Sequence, residues 1–218
     1  MTDEYPAYLD ELEIGEERSV RKRIGELRAE IDALAKSLEG ARKAKRILYV
    51  GGDDLRGEVV RFLAEDLGLK VRPAGDDPGG LWLQGEDGQD WCLVEVAESE
   101  TGNATKEQLA GTMLRRARSG GTEGGPALLV VNTYRSGRTI EDRDQPVGSD
   151  VVRRAVEDNV LVTRTVDLVR LGLRAAQGFP GGDQLTEALR GGGGWLEVDA
   201  SLTATAHRAP AGSTLLAS

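Results

Sequence analysis

The most regular run of apolar positions in the chain is Val20, Ile24, Leu27, Ile31, Leu34, Leu38, with alternating spacings of four and three. This is a heptad seam at d and a positions in turn, and it predicts a coiled-coil helix over residues 18–46. Ile at a with Leu at d favours two strands. A parallel homodimer, however, sets Arg23 at g against Arg28 at the partner's e, while Glu30 faces only Ala35. Antiparallel pairing, intramolecular pairing and a helix lying on its own domain all stay open, because three heptads are marginal alone. Gly25 and Gly40 weaken the helix further. The seam is the expected surface for a homodimer or a partner protein.

After the basic run Arg42, Lys43, Lys45, Arg46 the period changes. Residues 47–50 are apolar, Gly51-Gly52 is a break, and Asp53-Asp54 reads as the N-cap of a helix. On that helix Leu55, Val59, Phe62, Leu63 and Leu67 keep a 3.6-residue period until Gly68. Three strands follow, over 69–72, 81–84 and 91–97, with Glu86-Asp87-Gly88 as hairpin chemistry between the last two. Trp91 to Val94 is apolar on both faces, as in the centre of a covered sheet. The remainder alternates: helix 105–118, strand 127–133, a helix capped by Asp150 to about 157, strand 160–163 and helix 166–176. Residues 178–194 read as a breaker-rich loop around a short helix 184–190, then 195–198 as a last edge strand. The expected organisation is an acidic flexible lead (1–17), the coiled-coil helix (18–46), an α/β domain with a partly parallel sheet (47–199) and a loose tail (200–218).

The length of 218 residues allows one sizeable domain plus an appendage. A lone Cys92 forms no internal disulfide, and the chain opens on acids rather than a basic and apolar leader, so a cytoplasmic location is expected. The longest apolar run is too short for a membrane span. One Cys92 and one His207 exclude a His/Cys zinc cluster, and His207 in an Ala/Ser/Thr-rich segment argues against a Ser-His-Asp triad. Carboxylate chemistry, or none, is what survives. Net charge is -9. Residues 1–17 hold seven acids and no base, and residues 18–46 hold ten bases against four acids, which leaves -8 on the rest. A domain of that sign grips nucleic acid weakly.

Three stretches carry a family likeness: Asp54-Leu55-Arg56-Gly57-Glu58-Val59-Val60 ahead of Leu67-Gly68-Leu69-Lys70-Val71, then Leu93-Val94-Glu95-Val96, then residues 128–135. A weaker continuation runs through Glu141-Asp142-Arg143 to residues 160–168. With the order helix, three strands, helix, strand, this resembles the αβββαβ core of the restriction-endonuclease-like, PD-(D/E)XK, superfamily over about residues 47–170. The resemblance implies a mixed central sheet flanked by helices. It also implies Mg²⁺ held by a helix Glu, a second-strand Asp and the Glu of an E-x-K, whose Lys activates water for phosphodiester hydrolysis. By position the helix Glu is Glu58 and the strand Glu is Glu95.

The departures from that pattern fall on the chemistry. The Asp position is Gly80 and the Lys position is Ala97. Glycine offers no ligand oxygen and alanine no ammonium. An active enzyme would need Asp76 or Asp77 as displaced ligand and Lys106 as displaced cation. Three readings follow. The first is a catalytically degenerate domain, needing no cofactor, that dimerises or docks a partner, with a role in nucleic-acid metabolism or defence against phage implied by resemblance alone. The second is a Mg²⁺-dependent nuclease using Glu58, Glu95, Asp77 and Lys106. The third is a nucleotide-binding, receiver-like domain built on 47–50 and Gly51-Gly52, which lacks G-x-G-x-x-G and places Asp53 and Asp54 where a phosphate would sit. Among the bases, Arg115, Arg116 and Arg118 suit the last turn of a helix. Arg135, Arg138 and Arg143 are expected to pair with Glu141, Asp142 and Asp144 rather than grip phosphate.

Overall fold

A computed structural model of the chain describes residues 15–74, 80–119 and 125–208. The chain divides into two compact units, residues 1–43 and 44–218. The first is represented by helix α1 (Gly15–Lys45), which runs 31 residues and buries none of them. Glu16 and Glu17 sit in its first turn, where they complement the helix dipole. Ion pairs Arg21–Glu17 (2.7 Å) and Arg23–Glu26 (3.1 Å) brace it along its length. Gly25 and Gly40 do not interrupt it, since each costs only about 1 kcal/mol in a helix interior. Among the described residues no helix is long and apolar enough to cross a membrane.

In the second unit a 3-10 turn (Arg46–Leu48) buries Ile47. Helix α2 (Gly52–Arg61) follows with Gly51 as its N-cap, and it runs on through a π turn (Phe62–Asp66). Asp53 and Asp54 therefore lie inside the first turn, two and three residues past the cap. Then come β1 (Lys70–Pro73), β2 (Leu81–Gln84), β3 (Asp90–Glu98), α3 (Lys106–Arg118), β4 (Ala127–Asn132), α4 (Ile140–Arg143), α5 (Ser149–Glu157), β5 (Val160–Arg164), α6 (Thr165–Ala176), α7 (Gly181–Arg190), β6 (Gly194–Val198) and β7 (Ala204–His207). The seven strands form one sheet in sequence order. The chain is thus α/β with a mixed sheet: β1, β2 and β3 are antiparallel, β3 to β6 parallel, and β7 antiparallel to β6.

Strand alternation sends Cys92, Val94, Leu128, Val130, Leu161 and Leu196 to a core shared with α2, α6 and α7. It sends Leu93, Leu129, Val131, Val162 and Trp195 to a second core with α3 and α5. β4 is buried along its whole length, so the centre lies one strand beyond the 91–94 run. Between β3 and β5 the connecting helices cover one face, and between β5 and β6 they cover the other. Because the strands advance in one direction throughout, the last crossover has the opposite hand from the first two. Parallel crossovers are right-handed in about 98% of cases, so at least one departure is built into this sheet.

Three sequence expectations change. Helix α5 starts at Ser149 with Gly148 at its cap, and Asp150 lies within the first turn. α7 begins at Gly181, because Gly181 and Gly182 press on neighbouring backbone rather than breaking the chain: a Cβ at Gly181 would lie 2.9 Å from the Leu171 carbonyl, and one at Gly182 would meet the Leu67 carbonyl. β6 is not the sheet edge. Residues 204–207, expected in a loose tail, pair with it as β7, held by His207 stacked on Trp195 (centroids 4.5 Å apart) and bonded to Glu197 (2.7 Å). Residues 209–218 lie outside the described residues.

Candidate functional site

Glu95 alternates with Leu93 and Ala97 on β3, and so points toward α3. Its neighbour in β4 is Leu129, a position inside the parallel sheet rather than a solvent-facing edge. A carboxylate there is stable only with a counter-ion. The counter-ion is Arg115 on α3, whose Nε lies 2.8 Å from Glu95 Oε2. Both side chains border an open cleft lined by Gly52, Asp53, Leu55, Arg56, Glu95 to Glu98 and Arg115. The cleft sits beside the N-terminus of α2 and beyond the carboxyl half of β3.

Gly80 stands just before β2. Its carbonyl accepts from Ala74 N (2.9 Å) and from Arg56 Nη2 (3.2 Å). A Cβ at this position would lie 2.8 Å from Ala74 Cβ and 3.7 Å from Arg115 Cδ. Where the resemblance implies a carboxylate, the chain brings two guanidinium groups.

Glu58 belongs to α2 but does not line this cleft. Two positions on from Arg56 it is turned about 200° around the helix. It is nearly buried, bridging Arg61 Nε (2.9 Å) and Arg46 Nε (3.2 Å). Lys106 also lies apart. It joins the start of α3 to α5 through Asp150 (2.7 Å), and this partner holds the Asp150 carboxyl below its usual range. Asp76 and Asp77 fall outside the described residues. Among the described residues no three His, Cys, Asp or Glu side chains gather as a metal would need. The donors present do not fit Mg²⁺: Glu58 and Glu95 face different ways, and each is matched by arginine.

The strand ends hold a second polar assembly. Arg164 and Asp167 are both fully buried and meet at 2.7 Å, and Asp167 also accepts from Val198 N (2.9 Å). Burial works against the Arg164 charge, but Asp167, Asp144 and Glu197 outweigh it and raise its pKa. Arg164 lies 5.0 Å over the Trp195 ring. Arg170 bonds both oxygens of Asp144 (2.8 and 2.6 Å) and the Val198 carbonyl (2.9 Å). Asn132 donates to the Val50 carbonyl (3.2 Å) and accepts from Thr165 Oγ1 (3.0 Å). Arg143 donates to the Leu48 and Arg135 carbonyls. These groups lock β4, β5, β6 and α6 together and leave little polar capacity for a ligand. The loop expected to pair its arginines with its own acids does not: Arg135 faces Glu98 (3.7 Å), Arg143 donates to carbonyls, and Asp142 accepts from the backbone N–H groups of Arg138 and Thr139 (3.0 Å each). Its Asp144 reaches the later helix instead.

Arg56 carries no signal of its own in the sequence, and Arg115 reads there as a partner of the helix dipole. The signal for Arg115 lay in Glu95: an acid inside an apolar strand demands a nearby cation, and the basic end of α3 supplies it. Arg116, next to it, is buried and donates to the Asp158 carbonyl (2.9 Å). The apolar stretch 47–50, which the nucleotide-binding reading needs as a strand ahead of Gly51, is a 3-10 turn and its flank. Gly51 itself is hemmed in, since a Cβ there would lie 2.6 Å from both Arg135 Nη1 and Glu98 Oε2.

No protein-family model, curated protein or solved structure matches this chain.

Proposed function

We propose that residues 44–208 are a catalytically degenerate domain of the restriction-endonuclease-like kind and that the chain acts as an interaction module, presenting the apolar seam of α1 to another protein. The order α2, three antiparallel strands, α3, then β4 parallel to β3 supports the fold reading. The observation that carries the functional reading is the charge arrangement at the cleft. Glu95 is neutralised by Arg115, the Gly80 carbonyl is held by Arg56, and Glu58 is tied to Arg46 and Arg61 away from both. A phosphodiesterase of this kind needs converging acids to hold its metal and a free cation to activate water. Here cations are spent on the acids.

Calorimetric titration of the full chain with Mg²⁺ and Mn²⁺, followed by cleavage assays on single- and double-stranded DNA and RNA, tests the reading. The expected result is no cleavage, and no metal binding that Glu95→Gln weakens. Metal-dependent cleavage abolished by Glu95→Gln or Glu58→Gln would replace this reading with the Mg²⁺-dependent nuclease.

A further inference from the structure

We propose that α1 docks on the α1 of a second copy of this chain in antiparallel orientation, with the dyad at Ala29 and Leu27 of each copy packed against Ile31 of the other. The proposal rests on the interaction reading above and supplies its partner and its direction. Every residue of the seam is at least 41% exposed, from Leu27 at 41% to Leu34 at 63%, and α1 buries no residue at all. A continuous apolar stripe of that length on a helix is an association surface awaiting its cover.

The seam and the charges together select the cover. Antiparallel about Ala29, the six seam residues form complete layers: Val20 with Leu38, Ile24 with Leu34, and Leu27 with Ile31, each repeated across the dyad. None is left over. Residues 18–28 hold five bases (Arg18, Arg21, Lys22, Arg23, Arg28) against Glu26, while residues 30–40 hold three acids (Glu30, Asp32, Glu39) against Lys36. The antiparallel arrangement lays the first block of one copy along the second block of the other. It also brings Glu16 and Glu17 opposite Arg42 and Lys43. A parallel pair opposes each block to itself, base on base and acid on acid, and sets Arg23 against Arg28. Like charges across a seam suppress a pairing, and opposite charges select it. At the flanking e and g positions the antiparallel pair sets Arg28 against Arg28 and Glu30 against Glu30, one contact of each, and the opposed blocks outweigh them.

Sedimentation equilibrium of the full chain, with cysteine cross-linking of the full-length variants Leu27→Cys and Ile31→Cys, tests this. Both sites are exposed, so neither change removes a core contact, and far-UV circular dichroism checks that helix content is kept. Cys92 is buried and burial pushes its thiol pKa up, so it does not compete in oxidation. The expected results are twice the monomer mass and a covalent dimer that forms several-fold faster when the two variants are mixed than with either alone. Cross-linking of Leu27→Cys alone at the rate of the mixture overturns the antiparallel direction and leaves the interaction reading standing. A monomer at all concentrations up to the solubility limit overturns self-docking. The degenerate-nuclease reading fails on a different measurement, metal-dependent cleavage, so the two failures are told apart.

Discussion

At the residue scale the chain is dominated by arginines that close on acids and carbonyls within the fold. Asp144 shows what this does to pH dependence. Arg170 bonds both of its oxygens and Arg164 lies beside it at 3.1 Å, and these contacts hold its carboxyl below the usual carboxylate range. A group whose folded pKa is depressed stabilises the fold above its unfolded value, about 3.9, and that contribution disappears as pH falls through the folded value. Asp144→Asn is therefore expected to lower the urea midpoint at pH 7 and at pH 5 by the same amount. The gap to the parent chain then narrows below about pH 4. Urea titrations at pH 7, 5, 4 and 3 check it, and a gap that is constant or widening in acid contradicts the assignment. The buried Arg164–Asp167 pair acts differently. With both partners dry, removing one strands the other, so the pair fixes the junction of β5 and α6 more than it raises stability.

At the scale of elements, what was legible in the sequence depended on what made each element. Helix α1, α2, α3 and the strands β2 to β5 rest on periodic apolar residues, and their placement was readable to within one to three residues. β7 was not readable. Ala204, Thr205 and Ala206 give no strand pattern, and the segment is held by its backbone ladder to β6 with one ring stack and one hydrogen bond from His207. α7 failed for the opposite reason. Gly181 and Gly182 look like punctuation in a sequence, but they sit where helix and backbone touch, and only the missing Cβ permits that approach. Gly182→Ala is expected to cost about 1–3 kcal/mol through this overpacking, although alanine is the better helix former. A thermal or chemical denaturation series decides it: an unchanged or raised midpoint would show that the contact yields freely. The candidate site was half legible for the same reason. Glu95 stood out as an acid in an apolar run, but its pairing with Arg115 is a contact between residues twenty positions apart that no local pattern encodes.

At the scale of the whole molecule, residues 44–208 carry both apolar cores, and of α1 its end at Ala44 packs against one of them. A chain beginning at Ala44 is therefore expected to keep the unfolding midpoint of the full chain, within about 0.5 kcal/mol of stability. Differential scanning calorimetry of the two chains checks it, and a shorter chain that fails to fold would give α1 a part in the core. Hydrophobic burial and strand order reach across the sheet, yet both of its outer strands end that reach abruptly. β1 presents Lys70, Arg72 and Pro73, and β7 is four residues long with a central Thr-Ala pair. Charged side chains, a proline with no N–H to donate, and too little length offer an approaching strand nothing to register against. Among the described residues the outer strands thus make a poor template for growth in either direction, which disfavours edge-to-edge stacking into fibrils.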